Sequence, residues 1–98
     1  MSSPRPDHDI INAVLNGDAD QFNELVVRHQ DYAFSIALKI VNNSMDAEEI
    51  AHDAFIKAFK SLKKLNQTAR FTTWLYRNAF NTAVSHSRKN KLAVDDID

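Results

Sequence analysis

Basic side chains are concentrated in the second half of this sequence. Residues 54–91 contain nine lysines and arginines and no aspartate or glutamate, whereas residues 1–53 contain three basic and ten acidic side chains. Lysine and arginine bind phosphates, so such a segregated basic stretch is typical of a surface that binds a polyanion, usually a nucleic acid. A solvated, salt-bridged surface is the simpler alternative, but the stretch contains no acids that could form the bridges.

Side chains suited to binding bases occur in the same stretch. Trp74 and Phe71 can stack on a base, and asparagine amides can pair with base edges. Helical spacing places one group of residues on a single, positively charged side of a predicted helix: Trp74, Arg77, Asn78, Asn81, Ser85, Arg88 and Lys89. We interpret this side as a surface for phosphates and unpaired bases. The alternative is that Trp74 folds back onto the core and the amides contact only solvent.

Residue patterns for catalysis or metal binding are not found. The chain has no cysteine, and its four histidines form neither an HExxH motif nor a pair at i, i+4. No serine lies in a nucleophile elbow, and there is no glycine-rich phosphate loop. We therefore expect no enzymatic activity, no cofactor and no metal.

Composition favours an all-α fold. Hydrophobic residues make up 44% of the chain, which argues against wholesale disorder, and residues 18–98 contain neither glycine nor proline. No apolar stretch reaches the ~20 residues of a membrane span, and the N-terminus lacks a signal-peptide core. We expect a compact four-helix domain, a short first helix followed by three longer ones, in a soluble cytoplasmic protein without membrane insertion.

The first two helices are bounded by turn and capping signals. The first is predicted from about Asp7 to Asn16, with Gly17 as its stop and with Ile10, Ile11, Val14 and Leu15 on its apolar stripe. The second begins at Asp18, where Gln21 completes a capping-box pattern, and ends at the polar residues 42–44.

The third helix is predicted from Ser44 or Asp46, with Asp46 and Glu49 as a capping box, to about Leu65. Its core face spans roughly 140° of arc and comprises Ala47, Ile50, Ala51, Ala54, Phe55, Ala58, Leu62 and Leu65. The opposite face carries Met45, Glu49, His52, Ile56, Lys60 and Lys63, with Phe59 at its edge. We interpret this amphipathic strip as a docking face for a partner helix; scattered surface apolar residues are the alternative.

A polar connection is predicted over residues 66–70, followed by a fourth helix from about Thr72, a candidate N-cap, to about Asn90. One side of this helix comprises Leu75, Tyr76, Ala79, Phe80, Ala83 and Val84. The whole chain is then divided into a disordered N-terminal tail over 1–9, a helical domain over 10–91, and the start of an acidic linker over 92–98.

Two ordered motifs resemble region 2 of bacterial sigma factors, most closely the extracytoplasmic-function type. They are DAEEIAHDAFIKAF at 46–59 and FTTWLYRNAFN at 71–81, and the upstream stretch FNELVVRHQDYA at 22–33 resembles the start of that region. The resemblance extends over roughly residues 10–91. It implies a helical module that binds core RNA polymerase and opens promoter DNA at the −10 element.

The resemblance also implies two sets of site residues. The helix that docks on a coiled coil of the polymerase β′ subunit corresponds to the strip containing Glu49, His52, Asp53 and Ile56, and we add the neighbouring Met45. The residues that receive the non-template strand, with one base flipped out, correspond to Phe71, Thr72, Trp74, Arg77, Asn78, Asn81 and Arg88, and we add Lys89. Residues 66–70 correspond to a loop that varies with promoter choice.

Such sigma factors carry a second helical domain that reads the −35 element, so we expect this chain to be a fragment of a longer protein. An anti-sigma factor is a further partner that the resemblance allows. Two other functions stay open from the residues: a duplex-binding helix-turn-helix regulator, and a helical protein-interaction domain without a nucleic-acid role.

Overall fold

The chain folds into α-helices joined by short connections. A computed structural model describes the backbone of residues 5–68 and 70–97 and the side chains of residues 5–65 and 70–89. These residues form five α-helices and one 3-10 turn, and the helix-only architecture confirms the predicted all-α class. In chain order the elements are α1 Asp7–Leu15, the 3-10 turn Ala19–Gln21, α2 Phe22–Val41, α3 Ser44–Lys60, α4 Leu62–Thr68 and α5 Phe71–Ile97.

Three long helices, α2, α3 and α5, pack against one another to form the core. Small side chains line these contacts and allow the helix axes to approach closely; fully buried alanines are Ala33, Ala37, Ala47, Ala54, Ala58, Ala79 and Ala83. All eight residues predicted for the core face of the third helix are buried, so that prediction is confirmed. Periodicity predicts this face correctly because α3 packs against both α2 and α5, so the whole apolar stripe is covered.

An aromatic cluster fixes the beginning of α5. The buried ring of Phe71 lies 6.4 Å from the ring of Phe55 in α3 and 6.5 Å from that of Phe22 in α2, measured between centroids. The imidazole of His29 in α2 lies 5.5 Å from the Phe71 ring. Such ring pairs contribute about 0.5–1.5 kcal/mol beyond the area they bury. The cluster therefore joins three helices at the first residue of α5.

A shared carboxylate attaches α1 to α2. Asp7 Oδ1 accepts a hydrogen bond from Arg28 Nη1 at 2.9 Å, and Asp7 Oδ2 lies 2.8 Å from His29 Nε2. Arg5 adds an ion pair to Glu24 at 3.3 Å. The prediction that residues 5–9 belong to a disordered tail is therefore wrong, because they are held by contacts 19–22 residues away in sequence; residues 1–4 of that tail lie outside the described part. Leu15, predicted for the apolar stripe, is exposed.

The helix starts differ from the predicted capping boxes. Residues 19–21 form a 3-10 turn before α2, and the Asp18 side chain caps no backbone N–H; it accepts a side-chain hydrogen bond from Gln21 Nε2 at 3.2 Å instead. The cap of α3 is Asn43, whose Oδ1 accepts from the backbone N–H of Asp46 at 3.0 Å. Asn42 takes the left-handed conformation that ends α2, with φ 54°.

The third predicted helix is divided in two at Ser61. The backbone N–H of Ser61 donates to Lys57 O at the end of α3, and its carbonyl accepts from Leu65 N in α4. Because α4 extends to Thr68, the predicted connection at 66–68 is wrong; residue 69 lies outside the described part.

Helix α5 begins at Phe71, so Thr72 is inside the helix and is not its cap. Its backbone stays helical to Ile97, so the predicted end of the helix at Asn90 is wrong.

The Asn43 cap predicts a local stability effect. Asn43→Ala is expected to lower the free energy of unfolding by about 1 kcal/mol, because one first-turn N–H of α3 loses its acceptor. Ser44→Ala is the matched control and should change stability by less than about 0.5 kcal/mol. Urea unfolding followed by circular dichroism measures both, and equal effects of the two substitutions would contradict the cap assignment.

Candidate functional site

The outer side of α5 presents cationic and amide groups to solvent. Arg77, Asn81, Arg88 and Lys89 are all exposed. Within the described side chains, none of these three basic residues has an ion-pair partner. Spacing at about 100° per residue brings Arg77, Asn81 and Arg88 onto one strip of the helix. Part of the predicted basic face is therefore an exposed strip, and its cations are available to an external anion.

Three other predicted site residues are only partly accessible. Trp74 is half-buried and packs against the main core cluster, so one part of its indole faces the protein. Asn78 donates from Nδ2 to Trp74 O at 3.1 Å, which engages one of its amide hydrogens within the helix. Thr72 is half-buried in the first turn. Of the two asparagines proposed to pair with bases, Asn81 is the more exposed.

Phe71 has a structural role that excludes the one predicted for it. Its side chain is only 3% exposed and is enclosed by the rings of Phe22, Phe55 and His29. A base cannot stack on a ring that is already surrounded. The prediction that Phe71 offers a stacking surface is wrong.

Two aromatic side chains that spacing places on the apolar side of α5 are exposed and stack on each other. Tyr76 and Phe80 are 47% and 41% exposed, and their rings stack with centroids 6.0 Å apart and an interplanar angle of 13°. Arg77 lies between them in sequence. Their i, i+4 spacing at the edge of the apolar arc is the one sequence signal that could have identified them. They supply an accessible ring surface where Phe71 does not.

The predicted strip on α3 is exposed along its length. Met45, Ile56 and Phe59 are 79%, 40% and 45% exposed, and the polar members of the strip, Glu49, His52 and Asp53, are exposed as well. Two adjoining depressions of ≈ 410 and ≈ 380 Å³ lie between α2 and α3 and share Val26, His52 and Phe55 in their walls. We call them together the α2–α3 groove. The second depression is largely apolar and is lined by Phe22, Asn23, Val26, His52, Phe55, Ile56, Phe59 and Lys60.

The described residues contain no group of three or more His, Cys, Asp or Glu side chains that could hold a metal ion. In the same part of the chain, none of the helices combines the length and apolar character needed to cross a membrane.

Comparison with known proteins assigns the family. The model of the sigma-70 region 2 family matches residues 25–93, which include α3, α4 and most of α2 and α5. The chain belongs to this family. Both predicted site surfaces lie within the matched part of this sigma region 2.

Curated relatives of this sigma region 2 include three bacterial sigma factors. The RNA polymerase sigma-H factor of Pseudomonas aeruginosa is 34% identical over 88% of this chain and 45% of that protein. The ECF RNA polymerase sigma factor SigW of Bacillus subtilis is 35% identical over 83% of this chain and 43% of that protein. The ECF RNA polymerase sigma-E factor of Escherichia coli K12 is 37% identical over 88% of this chain and 44% of that protein. The chain thus spans less than half the length of the curated relatives it matches.

A solved structure shares the fold of this sigma region 2. It is described as the NMR structure of the complex formed by an engineered region 2 of sigmaE in complex with GTAAAA. Its TM-score is 0.77 at 38% sequence identity, and the match covers 98% of this chain and 95% of that chain. The likeness in fold therefore extends to both surfaces described above.

The buried position of Phe71 predicts a stability effect that a surface residue would not have. Phe71→Leu is expected to lower the free energy of unfolding by about 1–2 kcal/mol, because the ring contacts with α2 and α3 are lost and a small void remains. Phe80→Leu makes the same substitution at an exposed position of the same helix and should stay within about 0.5 kcal/mol. Chemical denaturation of both variants measures the difference, and a negligible effect at Phe71 would overturn its place in the core.

Proposed function

We propose that this sigma region 2 is a transcription-initiation module that binds core RNA polymerase and captures unpaired bases of the promoter −10 element. The observation that carries the proposal is the outer side of α5, where the stacked rings of Tyr76 and Phe80 lie beside Arg77 and Asn81. This surface occurs on a fold similar to the engineered region 2 of sigmaE that was solved in complex with GTAAAA.

The charges of this surface favour the phosphate backbone of DNA. Arg77, Arg88 and Lys89 are exposed and carry no intramolecular ion pair among the described residues, so binding a phosphate breaks no existing bridge. Each phosphate contact releases a condensed counterion, and the affinity should therefore fall steeply with salt concentration. These contacts position the strand and do not select its sequence.

Base capture needs aromatic and amide groups in addition to charge. A base that leaves the duplex loses its stacking, at a cost of a few kcal/mol. Stacking on an aromatic side chain returns about 1–3 kcal/mol per base. Tyr76, Phe80 and the accessible part of Trp74 supply rings, and Asn81 supplies an amide that can pair with a base edge. Melting is then a shift in population toward open DNA, with no covalent step and no enzymatic role for the module.

The α2–α3 groove is the proposed polymerase-binding face. Its apolar wall includes exposed Ile56 and Phe59, and His52 lies at the junction of its two depressions. An amphipathic helix can place an apolar anchor in such a groove while the acids on α3 interact with its polar side. The proposed partner is a coiled coil of the β′ subunit, and Met45, Glu49 and Asp53 extend the contact along α3.

The proposed role belongs to a longer polypeptide. The curated relatives are more than twice as long as the matched part, so reading of the −35 element is assigned to a second domain outside residues 10–91. An anti-sigma factor that covers the polymerase-binding face is the proposed means of restraint. No cofactor or metal enters the proposed mechanism.

The exposed aromatic pair gives the sharpest test of DNA capture. Tyr76→Ala combined with Phe80→Ala is expected to lower the affinity for a single-stranded oligonucleotide containing GTAAAA by about 10- to 100-fold, because two stacking rings are lost. Tyr32→Ala, at an aromatic residue of α2 with 44% exposure, is the matched control and should leave the affinity unchanged. Fluorescence anisotropy with labelled oligonucleotide measures both.

The same titrations on the oligonucleotide annealed to its complement separate the proposal from a duplex-binding regulator. The unmodified chain should bind the single strand more tightly than the duplex. Tighter binding of the duplex, with no effect of the double alanine variant on either probe, would assign the protein to the helix-turn-helix class. If the chain binds neither probe, the DNA-capture proposal is contradicted and a helical protein-interaction domain is the supported alternative.

The polymerase-binding proposal predicts a loss of affinity for core RNA polymerase when the α2–α3 groove is altered. Ile56→Asp should weaken binding to core RNA polymerase by at least about tenfold, because a charge is placed in the apolar groove. Leu15→Asp is the matched control, since Leu15 is 41% exposed against 40% for Ile56 and does not line the groove. Co-purification with core polymerase, with circular dichroism to verify folding, measures the effect. Equal binding of the two variants would contradict the assignment.

A further inference from the structure

We propose that Asp7, the first residue of α1, is a positioning residue for DNA capture, because its carboxylate fixes the histidine ring against which the first residue of α5 packs. The contacts run from Asp7 to His29 of α2, and from His29 to Phe71 of α5. Asp7 lies before residues 25–93, the part of the chain that the family model matches. The inference rests on the proposed function and extends it to a helix that bears none of the proposed DNA-binding residues.

The Asp7 carboxylate is shared by two donors of α2. Its Oδ1 accepts from Arg28 Nη1 at 2.9 Å, and its Oδ2 lies 2.8 Å from His29 Nε2. An ionised carboxylate only accepts hydrogen bonds, so Nε2 is the donor, and this nitrogen can carry its hydrogen in the neutral and the charged imidazole alike. The side chains of Asp7, Arg28 and His29 are 24%, 24% and 13% exposed. Solvent therefore competes weakly for these hydrogen bonds.

The hydrogen bond from Nε2 fixes the orientation of the His29 ring. Rotation about χ2 would move Nε2 away from the carboxylate, so this torsion, which is otherwise broad, is held at one value. The ring centroid then lies 5.5 Å from that of Phe71, at an interplanar angle of 38°. Phe71 is almost fully buried, and protein interiors have little free space. A rotated imidazole would therefore displace the Phe71 ring or leave a void beside it.

Apolar side chains attach α1 to the bundle independently of Asp7. Ile10 and Ile11 are buried in the core cluster that contains Phe71 and Leu75. Helix α1 packs against both α2 and α4. An amide in place of the Asp7 carboxylate therefore leaves most of the attachment of α1 intact, and its effect is concentrated on the side chains that share the carboxylate.

The first two turns of α5 carry side chains that are proposed to bind bases and phosphates. Trp74, Tyr76 and Arg77 follow Phe71 by three, five and six positions, which is a distance of at most about 9 Å along the helix. Helix ends open locally more easily than helix centres, and the packing of Phe71 opposes this opening in the first turn. A surface that is already ordered loses less entropy when it binds its ligand. The affinity for DNA should therefore depend on how well Phe71 is packed.

The test replaces the shared carboxylate by an amide. Asp7→Asn offers one acceptor oxygen to Arg28 and His29 where the carboxylate offers two. We expect the affinity for a single-stranded oligonucleotide containing GTAAAA to fall about 3- to 10-fold, the range given by the net contribution of one hydrogen bond. Fluorescence anisotropy measures this loss.

Asp9→Asn is the matched control. It makes the same charge change in the same turn of α1, at an exposed residue that pairs with exposed His8 at 3.7 Å. Removal of a negative charge by itself favours binding of a polyanion, so this variant should bind the oligonucleotide as tightly as the unmodified chain or slightly more tightly.

The single tryptophan of the chain reports directly on the order of α5. Trp74 lies in the first turn and is half-buried against the main core cluster. In the absence of DNA, its fluorescence emission should shift to longer wavelength in Asp7→Asn and stay unchanged in Asp9→Asn. Binding to core RNA polymerase through the α2–α3 groove should be the same for both variants, whereas general unfolding would weaken it.

Substitutions at His29 test the same contacts independently. His29→Ala removes the ring beside Phe71 and should reproduce both the loss of DNA affinity and the emission shift. His29→Phe keeps a ring that needs no acceptor and should retain the affinity and the emission of the unmodified chain. In the His29→Phe background, Asp7→Asn should have no further effect on either measurement. Circular dichroism verifies helix content, and if Asp7→Asn does not fold, the comparison of His29→Ala with His29→Phe decides.

Equal affinity of the Asp7→Asn and Asp9→Asn variants for the oligonucleotide overturns the inference and leaves the proposed function standing. A loss of affinity without a change in Trp74 emission, or a loss that persists in the His29→Phe background, also overturns it. Equal losses of DNA and polymerase binding assign Asp7 to general stability and contradict a positioning role. If the unmodified chain does not bind the oligonucleotide, the proposed function fails together with the inference.

Discussion

The enclosure of one phenylalanine ring is the constraint on which the arrangement of this domain depends. Phe71 is the first residue of α5, and its ring packs among Phe22, Phe55 and His29 from two other helices. These contacts fix both where α5 begins and which of its sides faces inward. The strip with Arg77, Asn81 and Arg88 faces outward as a result. The position of the candidate ligand-binding surface is thus determined by the core, and no contact among the surface residues is needed to define it.

Sequence periodicity predicts the fold class and the faces of α3 well, and the side chains of α5 less well. Helix α3 packs against both α2 and α5, so its buried arc is wide and matches the full apolar stripe. On α5 the buried row is Phe71, Leu75, Ala79 and Ala83, and Tyr76 lies about 100° from Leu75. The described neighbours of α5 cover only part of its circumference. Tyr76 and Phe80 therefore stay accessible although their hydrophobicity suggests a core position.

The helix boundaries that the sequence does not reveal depend on contacts between distant residues. No glycine or proline marks the break at Ser61, and α4 is held by packing against α1 and α5 as well as α3. A local pattern carries no information about such neighbours. The predicted cap of α3 is wrong by only three residues. Asn43 is the cap residue, whereas the predicted capping box begins at Asp46. The separation of acidic and basic residues, in contrast, can be read from the sequence without knowledge of tertiary contacts. The basic residues Arg77, Arg88 and Lys89 are exposed on α5.

Helix α5 has an inward row of small or apolar residues and an outward row of polar ones. The two rows differ in how freely their residues can be substituted. Ala79 and Ala83 are fully buried, so even one additional methyl group at these positions meets packed neighbours. Arg77 and Asn81 are exposed, and substitutions at exposed positions usually change stability by less than about 0.5 kcal/mol. The outer side of α5 can therefore change in sequence while the packing of the core stays the same.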